Sequence, residues 1–395
     1  MRWRPPRKIE SRHRLMQARV IQSIAEVEPG TWNGLRGTDN PFVRHEFLHA
    51  LEESGSVGAA SGWQPCHLLQ EDDNGDLIAA LPLYLKTNSY GEFVFDFAWA
   101  DAYSRAGLDY YPKLVSAIPF TPATGPRCLV GRSQDYAKHC KFLLAAAVNL
   151  ADETGASSLH FLFPEANELQ QLADAGLLLR KDCQFHWHNR DYESFDAFLG
   201  EFTSAKRKKT RRERRRIREA GIRFEVHTGL ELDEAKWEQL MPLYTSTFWQ
   251  RGRHPYINVE FFRTVSQSMP ENIVVFVAYK GADAIATAIC FQSNTTLYGR
   301  YWGSSGFYDS LHFETCYYQG IDYCIRQGLQ RFEPGTQGEH KISRGFVPVE
   351  TWSAHWLSHP QFAAAVDHFL GRERLYVDHY IEAVQDHMPY RKQGQ

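Results

Sequence analysis

An internal repeat is the sequence feature that most constrains the fold of this chain. Residues 41–48 (PFVRHEFL) match residues 255–262 (PYINVEFF) at an offset of 214 residues. Both stretches have the apolar spacing of an amphipathic helix, and a hairpin pattern follows each, around Asn74-Gly75 and around Lys280-Gly281. Because helix and hairpin recur in the same order, the 395 residues are predicted to form two domains of one α/β fold.

The predicted division of the chain follows from this repeat. We expect a flexible basic arm at residues 1–17, an N-terminal domain at 18–182 and a C-terminal domain at 183–395. Residues 184–188 are predicted to be the strand that links them. The arm lacks the apolar segment of a secretory signal, and the seven cysteines form no CxxC pair, so we expect a cytoplasmic protein with reduced thiols.

The most polar part of the second domain lies at the ends of predicted strands. Residues 295–302 predict a strand that breaks at the glycine-serine turn 303–306, and residues 311–327 predict a helix. A short strand at 329–333 leads towards the polar loop 339–346. Open α/β sheets bind ligands at such strand ends, so this loop is the predicted site, and a solvated charged loop is the alternative.

Eight polar residues are candidates for this site. They are Arg300, His312, Glu314, Glu333, Glu339, His340, Lys341 and Arg344. The sequence contains no GxSxG elbow and no signature of a nucleophilic cysteine, which argues against hydrolase chemistry. Transfer of an activated acyl group to an amine instead needs a base, a donor to the developing oxyanion and a clamp on the phosphates of the acyl donor.

Each of these roles has candidates among the eight residues. The base is expected among Glu339, Glu314 and His340. Lys341 is expected to stabilise the developing charge. Arg300 and Arg344 are the candidate clamps.

The same stretch predicts a phosphate loop rather than a metal site. A strand, a loop and then a helix present backbone N–H groups and a positive helix end, so Arg300, Trp302 and Gly303 are candidates for donor binding. His312 and Glu314 lie two residues apart, about 160° around a helix, so they share a metal only where the helix is irregular. We therefore expect no metal.

A strongly basic helix is predicted at residues 204–220. Residues 206–218 hold ten Lys or Arg against Glu213, a local charge of +9 in a chain of net charge −3. With no large apolar residue at 206–216, the helix is expected to bury no face and to be either solvated or pressed on an anion. RNA, a nucleotide-linked substrate and an acidic lipid surface are the candidate ligands, and no DNA-reading motif accompanies the helix. The cations assigned to donor binding are Lys206, Arg207, Arg211 and Arg212.

Four motifs together resemble the FemAB-like predicted N-acyltransferases of bacteria, which are related to the FemABX peptidoglycan aminoacyltransferases within the GNAT superfamily. The motifs are residues 121–126 (TPATGP), 300–303 (RYWG), 311–314 (LHFE) and 338–341 (GEHK). The resemblance implies two tandem GNAT-like domains with mixed sheets and a site in the second domain. It also implies transfer of an acyl or aminoacyl group from acyl-CoA or aminoacyl-tRNA to an amine, with no permanently bound cofactor.

Single residues match the family less closely. The basic helix is similar to an arginine-rich helix of FemABX proteins, and Lys341 with Gly345-Phe346 is similar to a compact Phe-Lys-x-Gly-Phe motif but with wider spacing. Arg300-x-x-Gly303-x-x-Gly306 is one residue longer than the superfamily pattern for the pyrophosphate of CoA, so aminoacyl-tRNA stays open as the donor.

The implied partners are therefore a phosphate-bearing donor and an amine. The acceptor is expected to be a small molecule, a peptide or a cell-wall precursor, with contact to a membrane surface as a further option and DNA excluded. The alternative to an enzyme is a non-catalytic RNA- or nucleotide-binding protein that retains the fold.

Overall fold

The computed structural model describes residues 18–336 and 338–391, which form a mixed α/β protein. The strands are β1 (Ala18–Ile21), β2 (Trp63–Pro65), β3 (His67–Glu71), β4 (Leu77–Leu81), β5 (Tyr84–Lys86), β6 (Lys113–Ser116), β7 (Leu129–Val130), β8 (Ser158–Leu162), β9 (Leu178–His188), β10 (Ile222–Thr228), β11 (Ile273–Lys280), β12 (Asp283–Gln292), β13 (Thr296–Ser304), β14 (Arg331–Glu333) and β15 (Val347–Leu357). The predicted basic arm lies outside the described residues.

The helices cover the faces of these strands. They are α1 (Pro29–Asn33), α2 (His45–Glu53), α3 (Phe97–Arg105), α4 (Tyr136–Thr154), α5 (Leu169–Asp174), α6 (Phe195–Gly200), α7 (Ser204–Glu219), α8 (Glu234–Trp249), α9 (Val259–Ser268), α10 (Leu311–Phe313), α11 (Gln319–Gln327) and α12 (Pro360–Gln385). A π-helical segment, Glu314–Tyr318, joins α10 to α11, so these form one continuous helix where the sequence predicts a helix over 311–327. Across the described residues, none of the helices combines the length and the hydrophobicity needed to cross a bilayer.

One large sheet runs through both halves of the molecule. Its strand order is β10-β11-β12-β13-β14-β9-β15-β8-β6-β5-β2, and a second sheet has the order β1-β3-β4-β7. Two neighbouring pairs are parallel, β13 with β14 in the C-terminal half and β6 with β8 in the N-terminal half, and the other pairs are antiparallel. Each half therefore repeats an antiparallel meander that ends in one parallel pair.

The two halves exchange strands at the centre of this sheet. Strand β9, which follows the N-terminal meander, pairs with β14 of the C-terminal half, and β15 from the C-terminal half pairs with β8 of the N-terminal half. Strands β9 and β15 also pair with each other. The boundary predicted after residue 182 falls inside β9, so the halves share one sheet and their division into domains stays a prediction.

The repeated helices meet face to face in a core that spans both halves. Phe47 of α2 and Phe261 of α9, which are 214 residues apart, pack edge to face with ring centroids 5.4 Å apart. Asn258, the N-cap of α9, also donates a hydrogen bond of 2.6 Å to the carbonyl oxygen of Ser54. The buried apolar residues of α2 and α9 belong to the same core cluster, which fixes the two halves relative to each other.

Candidate active site

A cleft of about 930 Å³ opens between the two halves, where β13 and β14 stop pairing. Strand β14 pairs with β13 only as far as Tyr298, so residues 299–304 of β13 continue without β14 beside them. The C-terminal half lines the cleft with residues of β13, the α10–α11 helix and the turn after β14. The N-terminal half contributes the loop 89–97 and Pro122. Both halves therefore line the cleft, and it lies at the strand ends where the sequence predicts a site.

Lys341 is a buried cation in the wall of this cleft. It lies on a 3-10 helix, Glu339–Arg344, where the sequence predicts an open loop, and its side chain is 1% exposed. Its Nζ donates a hydrogen bond of 2.5 Å to the carbonyl oxygen of Gly335. No carboxylate of residues 18–336 or 338–391 lies within ion-pair distance of it, and burial lowers the pKa of Lys341 to about 7. Protonated Lys341 has three N–H donors, and since Gly335 accepts one of them among the described residues, two are left for a ligand.

Two imidazoles border the cleft next to Lys341. His340 Nε2 and the hydroxyl of Tyr317 are 2.8 Å apart. Burial, and then the charges of Arg344 and Lys341, lower the pKa of His340, so its ring is mainly neutral at pH 7. Burial lowers the pKa of His312 to about 4, and this neutral ring packs edge to face on Trp302 with ring centroids 5.1 Å apart.

Arg300 joins the two halves at the floor of the cleft. Its Nη2 donates to the carbonyl oxygen of Phe120, which brings β13 against the N-terminal half. Burial lowers the pKa of this guanidinium, and its buried Nε has no hydrogen-bond partner among the described residues. Arg300 therefore lines the cleft as predicted, with part of its bonding capacity already used by the protein.

The glycine-serine turn is packed rather than open. Strand β13 continues to Ser304, past the predicted break at residue 303, and a Cβ at Gly303 would overlap the carbonyl oxygen of Leu243 in α8. Gly303 thus allows helix and strand to approach, because any side chain would separate them. The loop before α10 carries Asp309, whose carboxylate pairs with Arg216 Nη1 at 2.6 Å. The loop that leads into α10 therefore carries a carboxylate, Asp309, whereas a phosphate-binding loop would present free backbone N–H groups there.

The three acids named by the sequence lie outside the cleft lining. Glu339 is exposed and accepts a hydrogen bond of 3.1 Å from the hydroxyl of Tyr380. Glu314 lies on the side of its helix away from His312, where Arg214 and Gln319 donate to it and burial raises its pKa. Glu333 is buried at the end of β14 beside Arg331 at 3.0 Å, and burial raises its pKa to about 7.

Arg344 is also internal rather than a free clamp. It is 3% exposed, and its Nη2 donates to Glu213 of α7 at 2.9 Å. Its guanidinium carbon lies 3.3 Å from the ring centroid of Phe313. The structure thus brings Lys341, His340, His312, Arg300 and Trp302 to the cleft and turns Arg344 away from it.

Several cleft residues have no clear signal in the sequence. Tyr317 follows Phe313 by one helical turn, so the helical period of 311–327 is the one pattern that links it to the site. Arg251 and Arg253, which follow α8, and the aromatic loop 89–97 reach the cleft through tertiary packing alone.

A second depression, here called the basic groove, follows α7. It measures about 880 Å³, and its lining includes Arg207, Lys208, Arg211, Arg212, Arg214, Arg215 and Arg218. Glu314 and Gln319 border the groove, whereas His312 and Tyr317 border the cleft, so the π-helical region separates the two.

The expectation that α7 buries no face is wrong. The buried face of α7 consists of Thr210, Glu213 and Ile217 and is therefore largely polar. The Glu213 carboxylate accepts hydrogen bonds from Arg344 and Tyr318. Four of its ten cations form ion pairs, namely Arg211, Arg214, Arg215 and Arg216. The other six have no carboxylate within ion-pair distance in the part of the chain that is described. Three residues, here called the groove arginines, are Arg207, Arg211 and Arg212.

Three solved structures illustrate what this chain is similar to. The C-terminal domain (DUF2156) of a putative lysylphosphatidylglycerol synthetase from Agrobacterium fabrum is 13% identical, with a TM-score of 0.54 over 88% of this chain and 97% of that one. FemX is 11% identical, with a TM-score of 0.53 over 89% of this chain and 100% of that one. L-PGS from Bacillus licheniformis is 12% identical, with a TM-score of 0.50 over 82% and 96%. At these identities the similarity concerns the fold, and it confirms the predicted fold class, a mixed α/β protein of the kind found in these neighbours.

The family model named FemAB-like, described as peptidoglycan biosynthesis/recognition, matches residues 23–392. No match was found among curated proteins. Because the family match spans most of the chain, it supports the transfer of acyl or aminoacyl groups in broad terms. We conclude that this protein is a member of the FemAB-like family.

Proposed function

We propose that the protein transfers an aminoacyl group from aminoacyl-tRNA to an amine of a cell-wall precursor, in the cleft between its halves. The observation that carries this proposal is buried Lys341 in the cleft wall, which has no carboxylate within ion-pair distance among the described residues. A buried cation without a counter-ion destabilises the fold, so a position like this indicates a functional group whose partner is a negative charge on a ligand.

The proposed chemistry uses the two N–H donors that Lys341 has left. The acceptor amine attacks the ester carbonyl carbon of the donor, a C–N bond forms, and the negative charge on the carbonyl oxygen is stabilised by the ammonium. The C–O ester bond then breaks, and the leaving ribose oxygen takes a proton from Lys341, whose pKa near 7 suits a proton donor at neutral pH.

The proton lost by the amine goes to His340. Its imidazole is mainly neutral at pH 7 and therefore able to accept, and the Tyr317 hydroxyl at 2.8 Å offers a route between the amine and the ring. Burial raises the pKa of Tyr317, so the hydroxyl stays protonated and relays a proton instead of losing one. Proton return from His340 to Lys341 completes the cycle, and the products are an amide and a free ribose hydroxyl.

The basic groove supports tRNA as the donor over acyl-CoA. Four cations that line the groove have no ion pair in the described residues, and they suit a run of phosphodiesters better than one pyrophosphate; they are Arg207, Lys208, Arg212 and Arg218. The loop before α10 carries Asp309 where a pyrophosphate would need backbone N–H groups. The π-helical segment that begins at Glu314 separates the groove from the cleft. A donor that contacts both must extend around this segment, which favours a large polyanion.

The proposal for the acceptor rests on the family and on the cleft. The FemAB-like family is described as peptidoglycan biosynthesis/recognition, which favours an amine-bearing cell-wall precursor as the acceptor. The N-terminal wall of the cleft supplies Tyr90, Phe93, Phe95 and Phe97, whose rings can cover the apolar parts of a bulky acceptor. A carboxylate-bearing precursor also suits the nearby cations Arg251 and Arg253.

A donor panel tests this function. Purified protein is given either total tRNA charged with labelled amino acids or a mixture of labelled acyl-CoA esters, together with a nucleotide-linked muramyl peptide. Label should move to the peptide with charged tRNA, and replacing the three groove arginines with glutamine should raise the KM for tRNA at least about tenfold and weaken its salt dependence. The control replaces three arginines that line neither groove nor cleft.

Other outcomes separate the alternatives. Transfer from acyl-CoA but not from tRNA would overturn the proposed donor. Tight tRNA binding without any transfer, unchanged in Lys341→Met, would support instead a non-catalytic RNA-binding protein. A protein that binds no RNA and transfers from neither donor would contradict both functions.

A further inference from the structure

Glu213 is an acid inside the most basic segment of the chain, and it points inward. The residue is 7% exposed, its Oε1 accepts from Arg344 Nη2 at 2.9 Å, and its Oε2 accepts from the hydroxyl of Tyr318. The helix that carries the exposed cations therefore has a carboxylate of its own that bonds to the protein interior.

Arg344 extends this tie to the turn that carries Lys341. Its Nη1 donates a hydrogen bond of 2.7 Å to the carbonyl oxygen of His340, the residue before Lys341. Its guanidinium also stacks on the ring of Phe313. Bonded at one end to α7 and at the other to the 3-10 helix, Arg344 leaves the 339–344 turn little freedom to shift alone.

We propose that the Glu213–Arg344 ion pair positions Lys341, so that the donor-binding helix α7 and the reactive amine move as one unit. The two are positioning residues, since neither lines the cleft. The catalytic meaning of this inference rests on the proposed function, but the positioning itself is a property of the protein without any substrate.

The geometry favours positioning over mere stability. Burying an ion pair contributes little net stability compared with apolar residues of the same size, because both charges lose their hydration. What a directional pair supplies is a fixed geometry, since Arg344 meets the Glu213 carboxylate and the His340 carbonyl through separate N–H groups. That geometry sets the distance between the basic groove and Lys341.

The chemical reactivity of Lys341 tests the inference without donor or acceptor. The full-length protein is treated briefly with an acetylating N-hydroxysuccinimide ester, and acetylation of each lysine is measured by mass spectrometry. Glu213→Gln keeps the shape but removes the charge, so the turn should open more often and Lys341 should be acetylated at least about tenfold faster. The matched control is Glu314→Gln, which breaks an ion pair between α7 and its neighbour without touching the 339–344 turn.

Lys113 serves as the internal reporter of general loosening. It is fully buried in β6 of the N-terminal half, whereas β10, the strand that follows α7, lies at the opposite end of the large sheet. The inference predicts faster acetylation of Lys341 in Glu213→Gln, an unchanged rate in Glu314→Gln, and an unchanged rate at Lys113 in both. Equal acceleration of Lys113, or no acceleration of Lys341, would overturn it.

A second variant covers the case in which Glu213→Gln does not fold. Arg344→Lys keeps the positive charge but cannot reach both the carboxylate and the carbonyl, so Lys341 should again be acetylated faster while Lys113 is not. An Arg344→Lys protein with wild-type reactivity at Lys341 would overturn the inference. Failure of the proposed function would show separately, as wild-type protein that transfers no label.

Discussion

Replacing Lys341 with methionine should make the protein more stable and abolish its activity. The pKa of this lysine is lowered from 10.5 to about 7 by burial, and each pKa unit is worth about 1.36 kcal/mol. At pH 7 the folded state therefore bears a penalty of about 4 kcal/mol for holding the amine. Methionine removes that penalty. It also loses the hydrogen bond to Gly335, which costs about 1 kcal/mol, and it packs less well in a site shaped for lysine, which costs about 1 kcal/mol more.

The net gain of about 2 kcal/mol should appear in the melting temperature. For 395 residues at about 2.1 cal/mol/K each, the unfolding entropy is about 0.8 kcal/mol/K, so the Tm should rise by about 2–3 °C. Differential scanning calorimetry at pH 7 measures this difference directly. Leu or Ile at position 341 would test the same charge effect with a poorer match of shape.

The pH dependence of this gain has a definite sign. Because the folded pKa of Lys341 lies below the unfolded one, the unfolded wild-type chain binds more protons between about pH 7 and 10.5. Wild-type stability therefore gains from this group as pH rises through that window, and the advantage of Lys341→Met should be largest at or below pH 7, vanish near about pH 9 and reverse at higher pH. A variant that is less stable than wild type at pH 7, or a gap that does not narrow with pH, would refute the reasoning.

Three further predictions follow from the contacts. Lys113→Met should lower the free energy of unfolding by about 3–5 kcal/mol in urea titrations, because two buried carboxylates lose their ammonium, and wild-type stability would contradict this. Gly303→Ala should lower the Tm in thermal scans because its Cβ meets a backbone carbonyl of α8, whereas Gly306→Ala, whose Cβ would make an ordinary contact of 4.0 Å with the Tyr308 ring, should stay within about 1 kcal/mol of wild type. Neutralising the groove arginines should weaken tRNA binding in filter assays at low salt and matter less at high salt, while an equal loss at all salt concentrations would contradict electrostatic binding.

The repeat and the helices were predictable because they depend on local sequence patterns. The apolar spacing around Phe47, and the same spacing around Phe261, predicted one amphipathic helix in each half. The rings of these two equivalent residues meet in the core. The exchange of β9 and β15 was not predictable, since strands far apart in sequence pair through tertiary packing and both have ordinary strand patterns. The prediction of a site at strand ends rested on general sheet geometry, and a cleft opens at the end of β14.

At several positions of the candidate site, the residue type alone is compatible with two different structural roles. A glycine at position 303 is compatible with a phosphate loop and also with close packing against a helix. Because α8 lies directly against Gly303, the structure shows that its role is packing. Arg344 suits a clamp as well as an internal tie, and the inward Glu213 decides for the tie. The spacing of His312 and Glu314 already predicted opposite helix faces, and the structure places one on the cleft and the other on the basic groove.

The polar inward stripe of α7 was missed for a related reason. Apolar periodicity is the usual signal of a buried helix face, and this stripe has Thr210 and Glu213 in place of large apolar residues. A buried acid can be recognised only when its partner is known, and that partner lies 131 residues away.

The most direct test of the account is single-turnover transfer by wild type and Lys341→Met. Each protein, present in excess over tRNA charged with one labelled amino acid, is mixed with a muramyl peptide, and the label on the peptide is followed in time. The account predicts rapid transfer by wild type and a rate at least about a thousandfold lower for a folded Lys341→Met that binds tRNA equally well. Equal rates for the two proteins would contradict the claim that the buried ammonium is the centre of the reaction.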